Sequence, residues 1–142
     1  MKIREIMSQD VQLVSPSTPL REAARLMRDA DTGFLPVGEN DKLIGTVTDR
    51  DITVRCVAEG ADLNSATVAE AMSESLVFAF DDQDDTEATR LMQQHNIRRL
   101  PVLSRDKRLV GVVSLGDIAV GSNDESGIAQ TEGDIASSPP NN

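Results

Sequence analysis

Two stretches of the sequence resemble each other closely: Leu43-Ile44-Gly45-Thr46-Val47-Thr48-Asp49-Arg50-Asp51-Ile52 and Leu109-Val110-Gly111-Val112-Val113-Ser114-Leu115-Gly116-Asp117-Ile118. In each, an apolar run with one glycine leads to a hydroxyl residue, and an aspartate follows three positions later. This pattern predicts a buried strand that turns into a helix. We therefore expect the same strand-to-helix turn twice in the fold.

The similarity between the two halves is not confined to these stretches. Three further blocks recur 65 positions later: Met7-Ser8 as Met72-Ser73, Arg25-Leu26-Met27 as Arg90-Leu91-Met92, and Leu35-Pro36-Val37 as Leu100-Pro101-Val102. An internal repeat determines the architecture before any local assignment is made. The sequence predicts a first repeat over residues 1–60 and a second repeat, with its connector, over residues 61–120. A chain of 142 residues is about the size of one domain, so we expect the repeats to share one core.

Hydrophobic periodicity gives the elements of the first repeat. After a short helical lead-in and a short strand over residues 11–15, an amphipathic helix is expected to be capped by Thr18 and to begin at Pro19. The remaining elements are two strands and a helix, expected over residues 33–37, 43–47 and about 49–58. Residues 40–42 form the turn between the strands, and Gly60 closes the last helix.

The second repeat follows the same order after a connector whose short helix is capped by Ser65 or Thr67. Its strands are expected over residues 76–80, 98–103 and 109–114, and its helices over residues 84–95 and from residue 115. The four aspartates of Asp81-Asp82-Gln83-Asp84-Asp85 suit a helix N-terminus and predict a charged N-cap. Residues 121–142 are rich in Gly, Ser, Asn and acids, a composition that predicts a flexible acidic tail.

Composition narrows the class of function. The net charge of −10 argues against nucleic acid as a partner, because binding phosphates requires clustered Lys and Arg. The chain has no apolar run long enough to cross a membrane and no signal-peptide pattern at its start, and its single cysteine fits a reducing compartment. We therefore expect a cytoplasmic protein that binds neither nucleic acid nor membranes.

Only Cys56 and His95 are candidates for catalysis or metal binding. Cys56 lies in a helical pattern, where a cysteine is usually a small core residue. His95 has no second histidine or cysteine nearby, so a metal site or a nucleophile with its base is not expected. The prediction is that the chain is not an enzyme, that both residues are structural, and that no cofactor is required.

The repeated motifs Thr48-x-x-Asp51 and Ser114-x-x-Asp117 allow two interpretations. In the structural one, each is a capping box, in which the hydroxyl and the carboxylate satisfy backbone N–H groups of the first helical turn. In the functional one, the same residues bind a ligand, with the carboxylate accepting from a pair of ribose hydroxyls. The spacing alone favours neither interpretation.

The order of strand, helix, Leu-Pro-Val strand, Gly-x-x-[Ser/Thr]-x-x-Asp and helix, present twice over residues 1–120, resembles the cystathionine-β-synthase (CBS) domain pair, or Bateman module. The resemblance implies an α/β (α+β) fold of two βαββα repeats related by pseudo-two-fold symmetry. It also implies two clefts for adenosyl ligands such as AMP, ATP or S-adenosylmethionine.

By position, the resemblance assigns Thr48 and Ser114 to phosphate and Asp51 and Asp117 to ribose. The base is expected against Met7, Gln12, Phe34 and Pro36 in one cleft, and against Met72, Val77, Arg99 and Pro101 in the other.

A basic island comprises Arg98, Arg99, Arg105, Lys107 and Arg108. Arg98 and Arg99 stand where the first repeat has Gly33 and Phe34, at a strand end that faces the cleft in the resembling family. The resemblance therefore implies that their bidentate guanidinium groups could reach a phosphate. Alternatively, they are solvated or neutralise Asp81 and Asp82.

The resemblance implies an adenine-nucleotide-sensing regulatory module that acts on an unknown effector protein. Homodimerisation is expected by analogy with the family and from helix faces that one small core does not cover. The alternative is a ligand-free dimeric interaction scaffold, in which both motifs only cap helices.

Overall fold

The computed structural model describes residues 1–121, which form two compact units with mixed helices and strands. One unit contains Gln12–Leu76, and the other contains Met1–Val11 together with residues 77–121. Apart from Gly121, the predicted tail lies outside the described residues. Within residues 1–121, no helix has the length and apolarity needed to cross a membrane.

In the unit Gln12–Leu76, helix α2 (Leu20–Ala30) precedes an antiparallel hairpin of β1 (Phe34–Glu39) and β2 (Lys42–Thr48). The hairpin turns at Asn40 and Asp41, whose φ angles of 54° and 62° suit a tight two-residue connection between twisted strands. The predicted strands and turn are therefore confirmed, with bounds shifted by one or two residues.

The start of α2 differs from the prediction. The helix begins at Leu20 with Pro19 at the N-cap, and the Thr18 hydroxyl accepts a hydrogen bond from the Ser15 N–H at 3.0 Å. Thr18 is not the cap because its side chain stabilises the preceding turn. The predicted strand over residues 11–15 is reduced to one bridge between Val14 and Val37.

The helix predicted over residues 49–58 is present but irregular. Helix α3 (Asp49–Ile52) continues as a π-helical turn over Thr53–Val57, and Gly60 follows with a φ of 76°. A 3₁₀ turn (Val68–Glu70) lies in the connector, where the Thr67 N–H donates to Glu70 at 2.8 Å. The core of this unit consists of buried apolar side chains from α2, both strands, the π-helical turn and the flanking segments: Val14, Leu20, Ala23, Met27, Leu35, Val37, Val47, Cys56, Ala66, Val68 and Ala71.

The second unit is built on a three-stranded sheet of β3 (Ala79–Phe80), β4 (Arg99–Leu103) and β5 (Leu109–Ser114). β3 pairs parallel with β4, and β4 pairs antiparallel with β5. The helices of this unit are α1 (Ile3–Ile6), α4 (Asp85–His95) and α5 (Leu115–Gly121).

Helix α4 has the predicted charged N-cap, since Asp84 accepts a hydrogen bond from the Thr86 N–H at 3.1 Å. The strand predicted over residues 76–80 is shorter, because only Ala79 and Phe80 pair with β4. The core of this unit draws on each of these helices and strands: Ile3, Ala79, Ala88, Met92, Leu100, Val102, Val113, Leu115 and Ile118.

The boundaries of the two compact units differ from the boundaries of the two sequence repeats. Ile3, which precedes the first repeat's helix, is fully buried in the core that contains β4 and β5. Val68 and Ala71, which precede the second repeat, are buried in the core that contains β1 and β2. The boundaries at residues 60 and 120 thus remain a prediction about the repeats. The segment that precedes the first helix of each repeat, its lead-in, packs in the unit that contains the hairpin of the other repeat. The expected single core is wrong, because the buried residues form one cluster per unit.

Candidate functional site

The turn from β2 to α3 places Thr48 and Asp51 in reciprocal contact. The Thr48 hydroxyl oxygen accepts a hydrogen bond from the Asp51 N–H at 3.0 Å, and Asp51 Oδ2 accepts one from the Thr48 N–H at 2.9 Å. Thr48 is buried and Asp51 half-buried. The first motif is therefore a capping box.

The turn from β5 to α5 repeats this geometry. The Asp117 N–H donates to the Ser114 hydroxyl oxygen at 3.0 Å, and the Ser114 N–H donates to Asp117 Oδ2 at 2.9 Å. The structural interpretation of both motifs is thereby confirmed. The caps leave ligand chemistry possible, because Oδ1 of each carboxylate takes no part in the box and each hydroxyl still carries a proton to donate.

The glycine of β2 is needed because another segment crosses it closely. Thr46 and Ser73 exchange two backbone hydrogen bonds of 3.0 and 2.8 Å, which bring the connector onto the strand beside Gly45. A Cβ atom at Gly45 would lie 2.7 Å from Met72 Cε and closer still to the Ser73 carbonyl oxygen. Met72 thus lies directly over the strand that leads to Thr48.

The second unit has the equivalent crossing. Ser8 and Val112 exchange backbone hydrogen bonds of 2.9 and 3.0 Å. A Cβ atom at Gly111 would lie 2.6 Å from Met7 Sδ and 2.7 Å from the Ser8 carbonyl oxygen. Each Met-Ser block therefore pairs with the glycine strand of the other repeat.

These crossings change the predicted grouping of the site residues. Met7 was expected in one cleft with Phe34 and Pro36, and Met72 in the other cleft with Arg99 and Pro101. In the structure, Met7 lies in the unit of Arg99 and Pro101, and Met72 lies in the unit of Phe34 and Pro36. The physical reason is that each lead-in pairs through backbone hydrogen bonds with a strand of the other repeat. Contact of either methionine with a ligand remains a prediction.

The hairpin register brings further predicted residues next to the motifs. Phe34 is opposite Thr48, and Arg99 is opposite Ser114. One position earlier, the Gly33 and Arg98 carbonyls accept hydrogen bonds of 2.9 Å from the first N–H of α3 and of α5. The start of each hairpin is thus fixed against the start of the following helix.

The other predicted residues follow the same division. Pro36 is opposite Thr46 in the first hairpin, and Pro101 is opposite Val112 in the second. Both prolines are buried. Gln12 is exposed at the start of its unit, whereas Val77 packs against the core that contains β4 and β5.

The basic island is not a uniform cationic surface. Arg105 pairs with Asp82 at 2.8 Å and lies over the Phe80 ring, 4.2 Å from its centroid. The hydrogen bond from Arg105 lowers the pKa of Asp82. Arg108 lies 3.6 Å from Asp106. Asp82 is therefore neutralised by Arg105, which belongs to the basic island.

The two residues considered for catalysis differ in their burial. Cys56 is fully buried in a core, as predicted, and its desolvation raises the pKa of the thiol. His95 is exposed in the last turn of α4. Over residues 1–121, no three His, Cys, Asp or Glu side chains cluster as a metal site would require.

Sequence reasoning missed Arg55. Its Nη1 donates hydrogen bonds to the carbonyl oxygens of Met72 at 2.9 Å and Ala71 at 3.1 Å. The only trace in the sequence is a difference between repeats, because the residue aligned with Arg55 is Gly121. An exposed arginine in a helical pattern otherwise resembles any solvated charge.

Comparison with known proteins agrees with this geometry. The profile of the CBS domain matches residues 3–57 and 68–121, so the chain belongs to the CBS domain family and carries the domain twice. It is 42% identical over 131 residues to the CBS domain-containing protein YhcV of Bacillus subtilis, a match that covers 91% of this chain and 92% of that protein. The predicted membership and fold are therefore confirmed.

Two solved structures are informative. Hypoxic Response Protein I, crystallised with two coordinated zinc ions, superposes with a TM-score of 0.79 at 37% identity, over 86% of this chain and 99% of that one. The CBS domain pair of protein MJ0100, in complex with 5′-methylthioadenosine and S-adenosyl-L-methionine, gives a TM-score of 0.74 at 26% identity, over 84% and 94% of the two chains.

Proposed function

We propose that this chain is a regulatory module that binds an adenosyl ligand and passes the signal to a partner protein. CBS-domain pairs generally bind adenosine ligands and regulate partners. The observation that carries the proposal is the duplicated turn in which Asp51 and Asp117 each keep one carboxylate oxygen outside the capping box. The similar CBS pair of MJ0100 in complex with adenosyl compounds supports the same ligand class.

In each unit the proposed contacts follow from the chemistry of the side chains. The outer carboxylate oxygen accepts from the ribose hydroxyls, since an ionised carboxylate only accepts. The hydroxyl of Thr48 or Ser114 donates to a phosphate or to another 5′ substituent. The thioether of Met72 or Met7 packs against the purine, a contact suited to a polarisable side chain.

The proposed output is regulatory and not catalytic. Within residues 1–121, the cysteine is buried in a core and the histidine is exposed at a helix end, which gives no nucleophile with a base beside it. The ligand requires no further cofactor. A homodimer in the cytoplasm that acts on a separate effector protein completes the proposal.

The test is isothermal titration of the full chain with AMP, ADP, ATP, S-adenosylmethionine and 5′-methylthioadenosine. We expect at least one of them to bind and to raise the melting temperature, because a ligand of the native state stabilises it. Asp51→Asn and Asp117→Asn should each weaken one binding event by about tenfold, since a charged hydrogen bond contributes about 1.5 to 3 kcal/mol. Asparagine keeps an oxygen for the cap, so folding should change less than binding.

The second candidate is a ligand-free interaction scaffold. The completeness of both capping boxes favours it, because Thr48, Asp51, Ser114 and Asp117 already have a structural role. If none of the five compounds binds and both Asn variants lose stability, the scaffold is the correct function.

A further inference from the structure

Arg55 lies on the turn that continues α3, one helical turn beyond Asp51. Its side chain leaves the helix and ends on the connector, where Nη1 donates to the carbonyl oxygens of Ala71 and Met72 at 3.1 and 2.9 Å. A guanidinium donor is permanently charged, and hydrogen bonds from charged groups are stronger than neutral ones. Arg55 therefore joins the helix that carries Asp51 to the segment that carries Met72.

The held segment is the one that crosses the strand before Thr48. Immediately after Met72, Ser73 pairs with Thr46, and the Met72 methyl group lies over Gly45. The connector is thus attached at two adjacent points, one by backbone pairing and one by Arg55. Both attachments hold the segment of Met72 against β2 and against the helical turn that follows Asp51.

The second unit has no charged residue at the position equivalent to Arg55. The residue aligned with Arg55 is Gly121, and a Cβ atom there would overlap Ile6 Cγ2. Ile6 directly precedes Met7, as Ala71 precedes Met72. The helix end therefore packs on Ile6 in one unit, whereas Arg55 spans to the backbone in the other.

We infer that Arg55 is a positioning residue for the first motif: it fixes Met72 relative to Asp51 and thereby sets the affinity of that site alone for an adenosyl ligand. The inference rests on the proposed function. A ligand whose ribose contacts Asp51 and whose purine contacts Met72 has an affinity that depends on the distance between these two side chains. Arg55 acts through Met72 and does not itself touch the ligand.

The experiment compares Arg55→Met with Arg55→Lys in two backgrounds of the full chain, titrated with AMP and 5′-methylthioadenosine. Asp117→Asn isolates the first site, and Asp51→Asn isolates the second. In the Asp117→Asn background, Arg55→Met removes the donors but keeps an apolar stem, and the affinity should fall by about fivefold or more. Arg55→Lys keeps a charged donor and should stay within about twofold of the parent.

Two controls separate positioning from a general loss of stability. Arg25→Met removes one exposed positive charge from α2 in the same unit and should leave the affinity unchanged. Arg55→Met in the Asp51→Asn background should also leave the remaining affinity unchanged. The unliganded Arg55→Met chain should show a shifted methyl resonance for Met72, assigned with a Met72→Leu variant, and unshifted resonances for Met7 and Met92.

The outcomes distinguish the inference from the function on which it rests. If the parent binds neither probe nor the other compounds of the screen, the proposed function fails and the inference with it. If the parent binds, the inference alone is overturned by an unchanged affinity in Arg55→Met, by equal losses in both backgrounds, or by an equal loss in Arg55→Lys. Should Arg55→Met not fold, Arg55→Gln, which keeps an N–H donor without the charge, is judged by the same criteria.

Discussion

Aligned residues of the two repeats have diverged where they flank the motif. The residue opposite Thr48 is a buried phenylalanine, Phe34, whereas the residue opposite Ser114 is a half-buried arginine, Arg99. The preceding residue is Gly33 in one repeat and Arg98 in the other. Two motifs with the same capping geometry are therefore bordered by an apolar side chain in one unit and by positive charge in the other.

Arg99→Ala tests whether this charge recognises phosphate. We expect the variant to bind AMP about tenfold more weakly and adenosine nearly as well as the parent, because a charged hydrogen bond of about 1.5 to 3 kcal/mol is lost only with the phosphate. The AMP affinity of the parent should also fall as salt is added. Isothermal titration measures both. Equal losses for the two ligands, or none for either, would mean that Arg99 is not a phosphate ligand.

Asp84 predicts a pH dependence of stability. Hydrogen bonds from the Asp85 side chain and the Thr86 N–H lower the pKa of Asp84 from 3.8 to about 2. A carboxyl whose pKa is lower in the folded state stabilises the fold above its unfolded pKa, and this contribution is lost as the pH falls through the folded pKa. The affected window therefore extends from about pH 4 down to about pH 2.

Asp84→Asn keeps a capping oxygen but no longer titrates. Its free energy of unfolding, measured by urea denaturation between pH 4 and pH 2, should fall less steeply with acid than that of the parent. Asp84→Ala should in addition be less stable at neutral pH, because it removes the cap of α4. A parent and an Asn variant with the same slope would show that Asp84 does not carry this acid sensitivity.

At the scale of elements, the central feature is a strand that must let another segment cross it. β2 and β5 each carry one glycine at the point where a Met-Ser block pairs with the strand. A side chain there would meet backbone, which cannot move aside as the end of a flexible side chain can. The glycines therefore serve close approach of two chain segments, and neither has a positive φ.

Gly111→Ala is expected to destabilise the protein by about 1 to 3 kcal/mol, the usual cost of overpacking a core. Its matched control is Gly116→Ala in α5, where a Cβ atom would lie 3.6 Å from the Ser114 hydroxyl oxygen, an ordinary contact. Alanine is favoured over glycine in a helix by about 1 kcal/mol, so the control should be neutral or stabilising. Thermal or urea unfolding compares the two, and equal effects would argue against a steric role for Gly111.

The elements also show what a sequence can predict. The turns at Thr48 and Ser114 were predictable because an apolar strand, a hydroxyl cap and an acid three residues later all lie in one short window. Thr18 misled the prediction because a hydroxyl before a helix can instead bond to a preceding turn. The crossings by Met7 and Met72 were not predictable, since pairing of distant segments leaves no periodic signal in either segment. The contact of Arg55 with backbone carbonyls was missed for the same reason.

At the scale of the whole molecule, the two repeats exchange their lead-in segments between units. Ile3 is fully buried among residues of the second repeat, and Val68 is fully buried among residues of the first. Each unit therefore contains chain from both repeats. A substitution near the start of the chain is therefore expected to weaken the packing of the second repeat. An alignment of the two repeats would not suggest this effect.

Ile3→Ala and Val68→Ala test this exchange in the full chain. Removing a buried Ile side chain costs about 2 to 5 kcal/mol, and a protein loses protection first in the region that the lost side chain supported. Ile3→Ala should increase amide hydrogen exchange mainly at Leu100, Val102 and Val113, whereas Val68→Ala should increase it mainly at Leu35, Val37 and Val47. The two variants control for each other because both truncate a fully buried apolar side chain in a lead-in. The opposite assignment, in which Ile3→Ala exposes the strands of the first repeat more than those of the second, would rule out the exchange.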